Sequence, residues 1–332
     1  MRRSLGAVIR PSPRWPFAAL LIFLLVALSL SASYRPGEFQ RLLLALRRTP
    51  LWVVPALLCL SWTNYVLRIL RWRILLAGLR AKVSGRDAAL SYLAGFAMLA
   101  TPGRVGELVR VWILKRLADV PYASTVSALL ADRLLDVAAV AALCLFGMRA
   151  AVRRDLVIVA VGILALVLAL AWHRTDRLAV WLHRLLRSAR FARRPAARMR
   201  LAVRAFKPTF RWKDIGFLLV LSAVGWLAEG LELFVLLSSF GATMTLPGAL
   251  SIFAASLLLG SLAMLPGGIG STEILMFGML RQAGVSGDVS LIATVAVRLC
   301  TFWLALATGM LVMPFVVRAE KAALRRRGTT AM

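Results

Sequence analysis

Thr101-Pro102-Gly103-Arg104-Val105-Gly106-Glu107 interrupts an apolar stretch running from 87 to 116, and Pro266-Gly267-Gly268-Ile269-Gly270 interrupts a second from 246 to 284. Proline beside glycine ends a helix. Each remaining half is only about 15 to 20 residues long, short for a hydrocarbon core of about 30 Å. The first stretch is bounded by Arg86 on one side and Lys115-Arg116 on the other, which suits a re-entrant hairpin that enters and leaves on one face. Non-helical backbone at membrane depth is tolerated only where protein or a wet cavity surrounds it. Both breaks are therefore expected to line a cavity. Two kinked, fully spanning helices are the other arrangement the same residues permit.

Around these breaks lie unbroken apolar runs at 16–34, 51–70, 121–147, 155–172, 214–240 and 288–317. Each is long enough to cross a bilayer as a helix. None alternates with the period of two that a barrel strand requires. The chain is 61% hydrophobic, against about half for a soluble domain. The expected fold is an all-α integral membrane protein, a bundle of about six full spans with two re-entrant hairpins.

The formal charge of +28 invites a nucleic-acid reading. The basic residues fall in connections between apolar runs, however, as the positive-inside rule produces. There is no zinc pattern and no RNA-binding signature, so no nucleic-acid partner is expected. Cys59, Cys144 and Cys300 each sit in an apolar run without paired spacing, and His173 and His183 share one basic loop. Neither a metal site nor any other cofactor is expected from such spacing.

The stretch 173–213 carries thirteen Lys/Arg and one acidic residue, Asp176. Together with the basic N-terminus and the tail of Arg318, Lys321 and Arg325 to Arg327, it predicts a cytoplasmic loop and two cytoplasmic termini in an inner membrane. Arg2 to Arg14 followed by 16–34, with Ser31-Ala32-Ser33, also reads as a signal peptide; an uncleaved first span is the preferred reading. Residues 35–50 are then outside and include a short amphipathic helix. The helix over 51–79 runs inward and ends in Arg68, Arg71, Arg73, Arg80 and Lys82. The run over 214–240 is outward and that over 288–317 inward. The whole chain, 1–332, is one polytopic membrane domain.

The two breaks match. Pro102-Gly103-x-Val105-Gly106 parallels Pro266-Gly267-x-Ile269-Gly270, and at a shift of 165 Gly95 falls on Gly260 and Arg133 on Arg298. Farther upstream the shift is 161, and Arg68 and Arg71 face Glu229 and Glu232. The units are about 51–149 and 214–317, and the charge-based topology makes them inverted. Inverted repeats whose broken helices meet at the midplane mark transporters.

Ionisable groups inside spans cost several kcal/mol and are functional candidates by default. The substrate-binding candidates are Pro102, Gly103, Arg104, Gly106, Glu107, Arg110, Asp132, Arg133, Asp136, Gly267, Gly268, Gly270, Ser271, Glu273 and Arg298. A half-helix starting after Pro102-Gly103 points free N–H groups and a positive dipole end into the core, a ready anion site. Arg104 beside it can grip a phosphate with two donors, and Glu107 and Arg110 follow at three-residue spacing. Ser271 can cap the second half-helix, with Glu273 either offsetting its dipole or meeting substrate. Buried arginine needs a partner; the expected pairs are Arg133 or Arg298 with Glu107, Asp132 or Glu273. Glu229 and Glu232 could neutralise Arg68 or Arg71, or relay protons. All these charges could also form a structural network that locks the bundle.

Leu67-Arg68-Ile69-Leu70-Arg71-Trp72-Arg73, the segment Pro102 to Arg110, Asp132-Arg133-Leu134-Leu135-Asp136, the segment Pro266 to Glu273, and Arg298-Leu299 together resemble the flippase-like transmembrane domain of the lysylphosphatidylglycerol synthase family. The likeness covers about 50–317. It implies a lipid-translocating bundle with two re-entrant hairpins, and stand-alone members are associated with hopanoid and other isoprenoid-lipid pathways. Asp132 stands where the family pattern more often has Glu. Only about fourteen residues follow Arg318, with no soluble aminoacyl-transferase domain, so lysyl transfer is not expected. The expected function is movement of an anionic lipid, such as a polyprenyl phosphate, between leaflets. A membrane-embedded lipid enzyme and a non-transporting partner in lipid synthesis are the alternatives.

Overall fold

The computed structural model describes residues 50–79, 83–101, 106–147, 212–263 and 265–329. The expected spans at 16–34 and 155–172, the amphipathic segment and the basic loop lie outside the described residues, as do Pro102, Gly103 and Arg104.

Among the described residues all regular structure is helical. Helix α1 (Val53–Gly78) has 26 residues, or about 39 Å at 1.5 Å per residue, ample for one crossing. α2 (Gly85–Phe96) begins where the Ser84 hydroxyl accepts from Asp87 N–H and the Asp87 carboxylate sits on the positive dipole end. α3 (Val109–Ala118) stops at Asp119, which adopts the left-handed conformation at φ 56° and pairs with Lys115 at 2.6 Å. α4 (Tyr122–Gly147) starts behind Pro121.

α5 (Trp212–Ser239) is again 28 residues long, and α6 (Leu246–Leu262) opens with Thr245 as N-cap and Pro247 in its first turn. A 3-10 turn at Pro266–Gly268 leads to α7 (Ser271–Gln282). α8 (Gly287–Arg298) passes through a π turn, Leu299–Trp303, into α9 (Leu304–Thr329), which contains Pro314. The last expected span thus begins at the predicted place but runs well past residue 317.

α1, α5 and the continuous α8–α9 segment are long and apolar enough to span a bilayer. α4 is as long, but Asp132, Arg133 and Asp136 break its apolar run. α2, α3 and α7, at 10 to 12 residues, reach only about 15–18 Å each. α2 ends and α3 begins on either side of Pro102-Gly103, α6 and α7 do so on either side of Pro266-Gly267-Gly268, and the two arms pack on each other in both cases.

Among the described residues two large hydrophobic cores, and a small one of Ala94, Ile113 and Val316, hold the bundle. Tyr65, Trp72, Tyr92 and Phe96 centre one, between α1, α2 and α4; Leu233, Leu237, Phe253 and Met276 centre the other, between α5, α6 and α7. Leu311, Phe315, Val54 and Phe217 are more than half exposed on the outside, as lipid-facing side chains are.

α1 and α5 run antiparallel. Ser61 meets Glu232, Asn64 donates to the Gly225 carbonyl at 3.0 Å, and Arg71 reaches Ser222, so partner numbers fall along α5 as they rise along α1. Each hairpin's first arm also lies on the last helix of the other unit, α2 on α9 and α6 on α4. Glycine makes both approaches possible: a Cβ on Gly309 would strike the Phe96–Ala97 backbone, and one on Gly147 the Pro247 carbonyl.

Candidate functional site

The crossing of α1, α3, α4 and α5 buries a dense set of charges. Arg71, fully buried, donates from Nε (2.9 Å) and Nη2 (2.6 Å) to one Asp132 oxygen and from Nη1 to Asp136 (2.8 Å) and Ser222 (2.5 Å). Trp226 Nε1 donates to Asp136 at 3.0 Å. Arg133 Nη2 lies 3.0 Å from Asp132, 3.3 Å from Asp136 and 3.3 Å from Glu107. Arg110 Nη1 reaches Asp132 and its Nη2 reaches Glu107, both at 3.4 Å. Arg68 Nη1 stands 3.6 Å from Asp136 and its guanidinium stacks 4.3 Å from the Trp226 ring centroid. Asp132 and Asp136, one turn apart on α4, are thus the anchor on which four arginines converge.

The second break carries a separate pair. Gly267, Gly268 and Gly270 have φ of 62°, 67° and 89°, values that residues with a Cβ rarely adopt. The Gly270 N–H donates to Glu273 at 2.7 Å, and the Ser271 hydroxyl instead donates to the Gly260 carbonyl at 2.8 Å. Gly270, not Ser271, is therefore the N-cap, and Ser271 ties the two arms together. Arg298 Nε donates to Glu273 at 2.7 Å and its Nη2 to the Gly267 carbonyl at 3.2 Å. In each half an arginine of the following helix grips the carboxylate just past the break: Arg133 on Glu107, Arg298 on Glu273.

A cavity of about 40 Å³ lies between the two breaks. Arg68, Glu107, Arg110, Glu229 and Arg298 line it with Tyr65, Phe96, Trp226 and Phe302. The tips are in close approach here: a Cβ on Gly267 would meet the Phe302 ring and come within 3.3 Å of the Leu99 carbonyl oxygen. Arg110 is fully buried; among the described residues its Nε has no hydrogen-bond acceptor, nor has Arg68 Nε, while Arg110 Nη2 stays with the Glu107 carboxylate at 3.4 Å. Tyr92 lies under the Arg110 guanidinium at 3.9 Å, and Gly95 leaves room for its stem. Buried donors without acceptors cost about 1–3 kcal/mol each.

The structure brings Glu107, Arg110, Asp132, Arg133 and Asp136 into one cluster and pairs Glu273 with Arg298, which lines the same cavity as Glu107 and Arg110. Gly106 lies just before Glu107 and donates its N–H to Thr101 Oγ1 at 2.8 Å. Glu229 faces the cavity, whereas Glu232 bonds Ser61. Arg71 pairs with the aspartates of α4, not with Glu232.

Arg68 and Arg71, read from the sequence as the basic end of a span and as possible partners of Glu229 and Glu232, are not among the substrate-binding candidates. They lie in the interior of α1, at i and i+3, and both are buried. The signal was present: Ile74, Leu75 and Leu76 continue the apolar run beyond them. Trp226, Tyr92, Ser222 and Ser61 carried no signal, since aromatic and hydroxyl residues are ordinary in spans.

Among the described residues no cluster of His, Cys, Asp or Glu could hold a metal ion. The family model for the lysylphosphatidylglycerol synthase transmembrane region matches residues 17–309. A UPF0104 membrane protein of Methanothermobacter thermautotrophicus is 28% identical over 307 residues, 84% of this chain and 89% of the relative. Another, from Pyrococcus horikoshii, is 26% identical over 324 residues, 89% and 96% of the two chains.

Proposed function

The chain belongs to the lysylphosphatidylglycerol synthase transmembrane-region family, and from that membership and the geometry of the cavity we propose that it is a flippase-like transporter for an anionic lipid. The phosphate of the headgroup binds at mid-membrane between Arg110, Arg68 and Arg298, while the tails stay in the bilayer. The observation that carries this reading is that two buried guanidiniums, Arg110 and Arg68, line one cavity and, among the described residues, each keeps an Nε donor without a hydrogen-bond acceptor. An anionic oxygen satisfies such donors and compensates their charge.

As it stands the cavity has room for a few waters, not for a headgroup. Translocation therefore requires the lining helices to part, on one side and then the other. The antiparallel α1 and α5, and the equivalent Arg133–Glu107 and Arg298–Glu273 pairs, support inverted units with re-entrant hairpins. The membrane is the inner membrane, with both termini in the cytoplasm. Family membership also fits a membrane-embedded lipid enzyme, but the wall of orphaned donors favours binding over chemistry.

The test is leaflet exchange of fluorescent phosphatidylglycerol and of a labelled polyprenyl phosphate in sealed proteoliposomes. Wild type is expected to accelerate exchange of at least one. Arg110→Gln and Arg298→Gln, if they elute as folded protein, should slow it by roughly tenfold or more, the size of losing a charge-assisted contact. No acceleration of any lipid by folded protein would refute transport.

A further inference from the structure

One buried acid takes no part in the arginine network. Glu232 on α5 is completely buried. Its Oε1 is 2.7 Å from Ser61 Oγ on α1, and its Oε2 has no hydrogen-bond partner. Among the described residues no arginine or lysine lies within ion-pair distance of it.

Ser61 is the hydrogen-bond partner of Glu232 among the described residues. Its hydroxyl has one hydrogen and two acceptors within reach, Glu232 Oε1 at 2.7 Å and the Cys300 carbonyl at 3.0 Å. Were Glu232 ionised, a carboxylate with no cation beside it and no partner on Oε2 would sit in an apolar interior at a cost of several kcal/mol. With a proton on Glu232 the charge is removed and both short contacts keep a hydrogen: Glu232 O–H donates to Ser61 Oγ, and Ser61 O–H donates to Cys300. Cys300 belongs to the π turn Leu299–Trp303, a local irregularity often found at functional sites.

The groups around Glu232 are consistent with this. Glu229 shares its helix three residues earlier and lines the cavity. Tyr65 on α1 and Cys300 on the π turn face it. α6, packed on α5, contains no ionisable residue between Leu246 and Leu262. Arg68 and Arg71 on α1 and Asp132, Arg133 and Asp136 on α4 are engaged with one another, and Arg298 on α8 with Glu273.

We propose that Glu232 is the proton-exchanging site of the transporter: it holds a proton in this closed state and passes it to and from the cavity by way of Glu229, so that opening of the cavity is coupled to a transmembrane proton gradient. The inference rests on the transport reading above. Release breaks the Glu232 O–H bond and forms one on the Glu229 carboxylate, which gives the proton to water in the opened cavity. Reloading reverses both steps. No other reactant is needed.

Two measurements test it on the full chain. Infrared difference spectra of wild type against Glu232→Gln at neutral pH should show a protonated-carboxyl band that shifts in heavy water, and Ser61→Ala should displace the band by removing its hydrogen-bond partner. No such band, or one that heavy water never shifts, overturns the proposal whether or not the protein transports lipid. In proteoliposomes, an imposed pH gradient should raise wild-type lipid exchange several-fold, while in E232Q the ratio of rates with and without the gradient falls to unity. A wild-type rate indifferent to the gradient, or an E232Q rate that still follows it, overturns the coupling even if the band is present. Failure of any lipid to exchange refutes the transport reading, and the coupling with it, while the infrared band separately reports the state of Glu232.

Discussion

Arg71 shows how a charge can be more fixed than the apolar residues around it. Three of its donor contacts end on Asp132 and Asp136, and Ser222 takes a further one. Replacing a buried ion pair as a whole can be nearly neutral, but removing one member strands the others. Arg71→Leu is therefore expected to destabilise the folded protein by about 3–5 kcal/mol, seen as a large drop in thermal midpoint in detergent. Arg133→Leu should cost clearly less, because its side chain is 26% exposed and its carboxylates keep Arg71 and Arg110. Equal losses in the two variants would contradict a network centred on Arg71. None of this ranking was legible beforehand. The sequence marks charges within apolar runs, but Arg68 and Arg71 fall near the predicted end of a span, where snorkelling arginines are common. Only the packing of α4 and α5 against α1 shows which arginine sits at the centre.

At the scale of elements, the breaks and their glycines were the most legible part of the chain, because proline and glycine act locally on backbone geometry. Pro266-Gly267-Gly268 fixes a turn whatever surrounds it. The exact cap was not legible: choosing Gly270 over Ser271 depends on the Gly260 carbonyl, which lies in the other arm. The glycines also differ in ways that spacing cannot reveal. Gly267 has φ 62° and its missing Cβ leaves room for the Phe302 ring, whereas Gly278, inside α7, has nothing within 4 Å of a built Cβ. Gly267→Ala is expected to lower the thermal midpoint strongly and to impair lipid exchange. Gly278→Ala should be neutral or stabilise by up to about 1 kcal/mol, the helix-propensity difference between the two residues. A tolerant Gly267 would mean the two tips do not meet as closely as Leu99, Gly267 and Phe302 indicate.

For the whole molecule, each unit is incomplete without the other. α2 lies on α9 and α6 on α4, so the first arm of either hairpin is seated by the opposite half. That exchange was invisible in the sequence, since periodicity within a run says which face is apolar but not which distant helix covers it. The halves are joined there and at the antiparallel α1–α5 crossing, where Asn64 meets Gly225. Those two residues are 161 positions apart, the same offset that aligns the upstream parts of the repeat. In the proposed inverted repeat, equivalent points touch where a two-fold axis passes between the units, and an axis relating antiparallel helices lies in the membrane plane. The start of α1 and the end of α5 should then open on one side of the membrane, and the end of α1 and start of α5 on the other. With the native cysteines replaced, Pro50→Cys and Ala242→Cys are expected to react with an impermeant thiol reagent added to intact cells. Ser84→Cys and Asp214→Cys should react only after permeabilisation. Labelling of Pro50→Cys and Ala242→Cys from opposite sides would exclude the antiparallel crossing, and with it an inverted pair of units sharing one mid-membrane cavity.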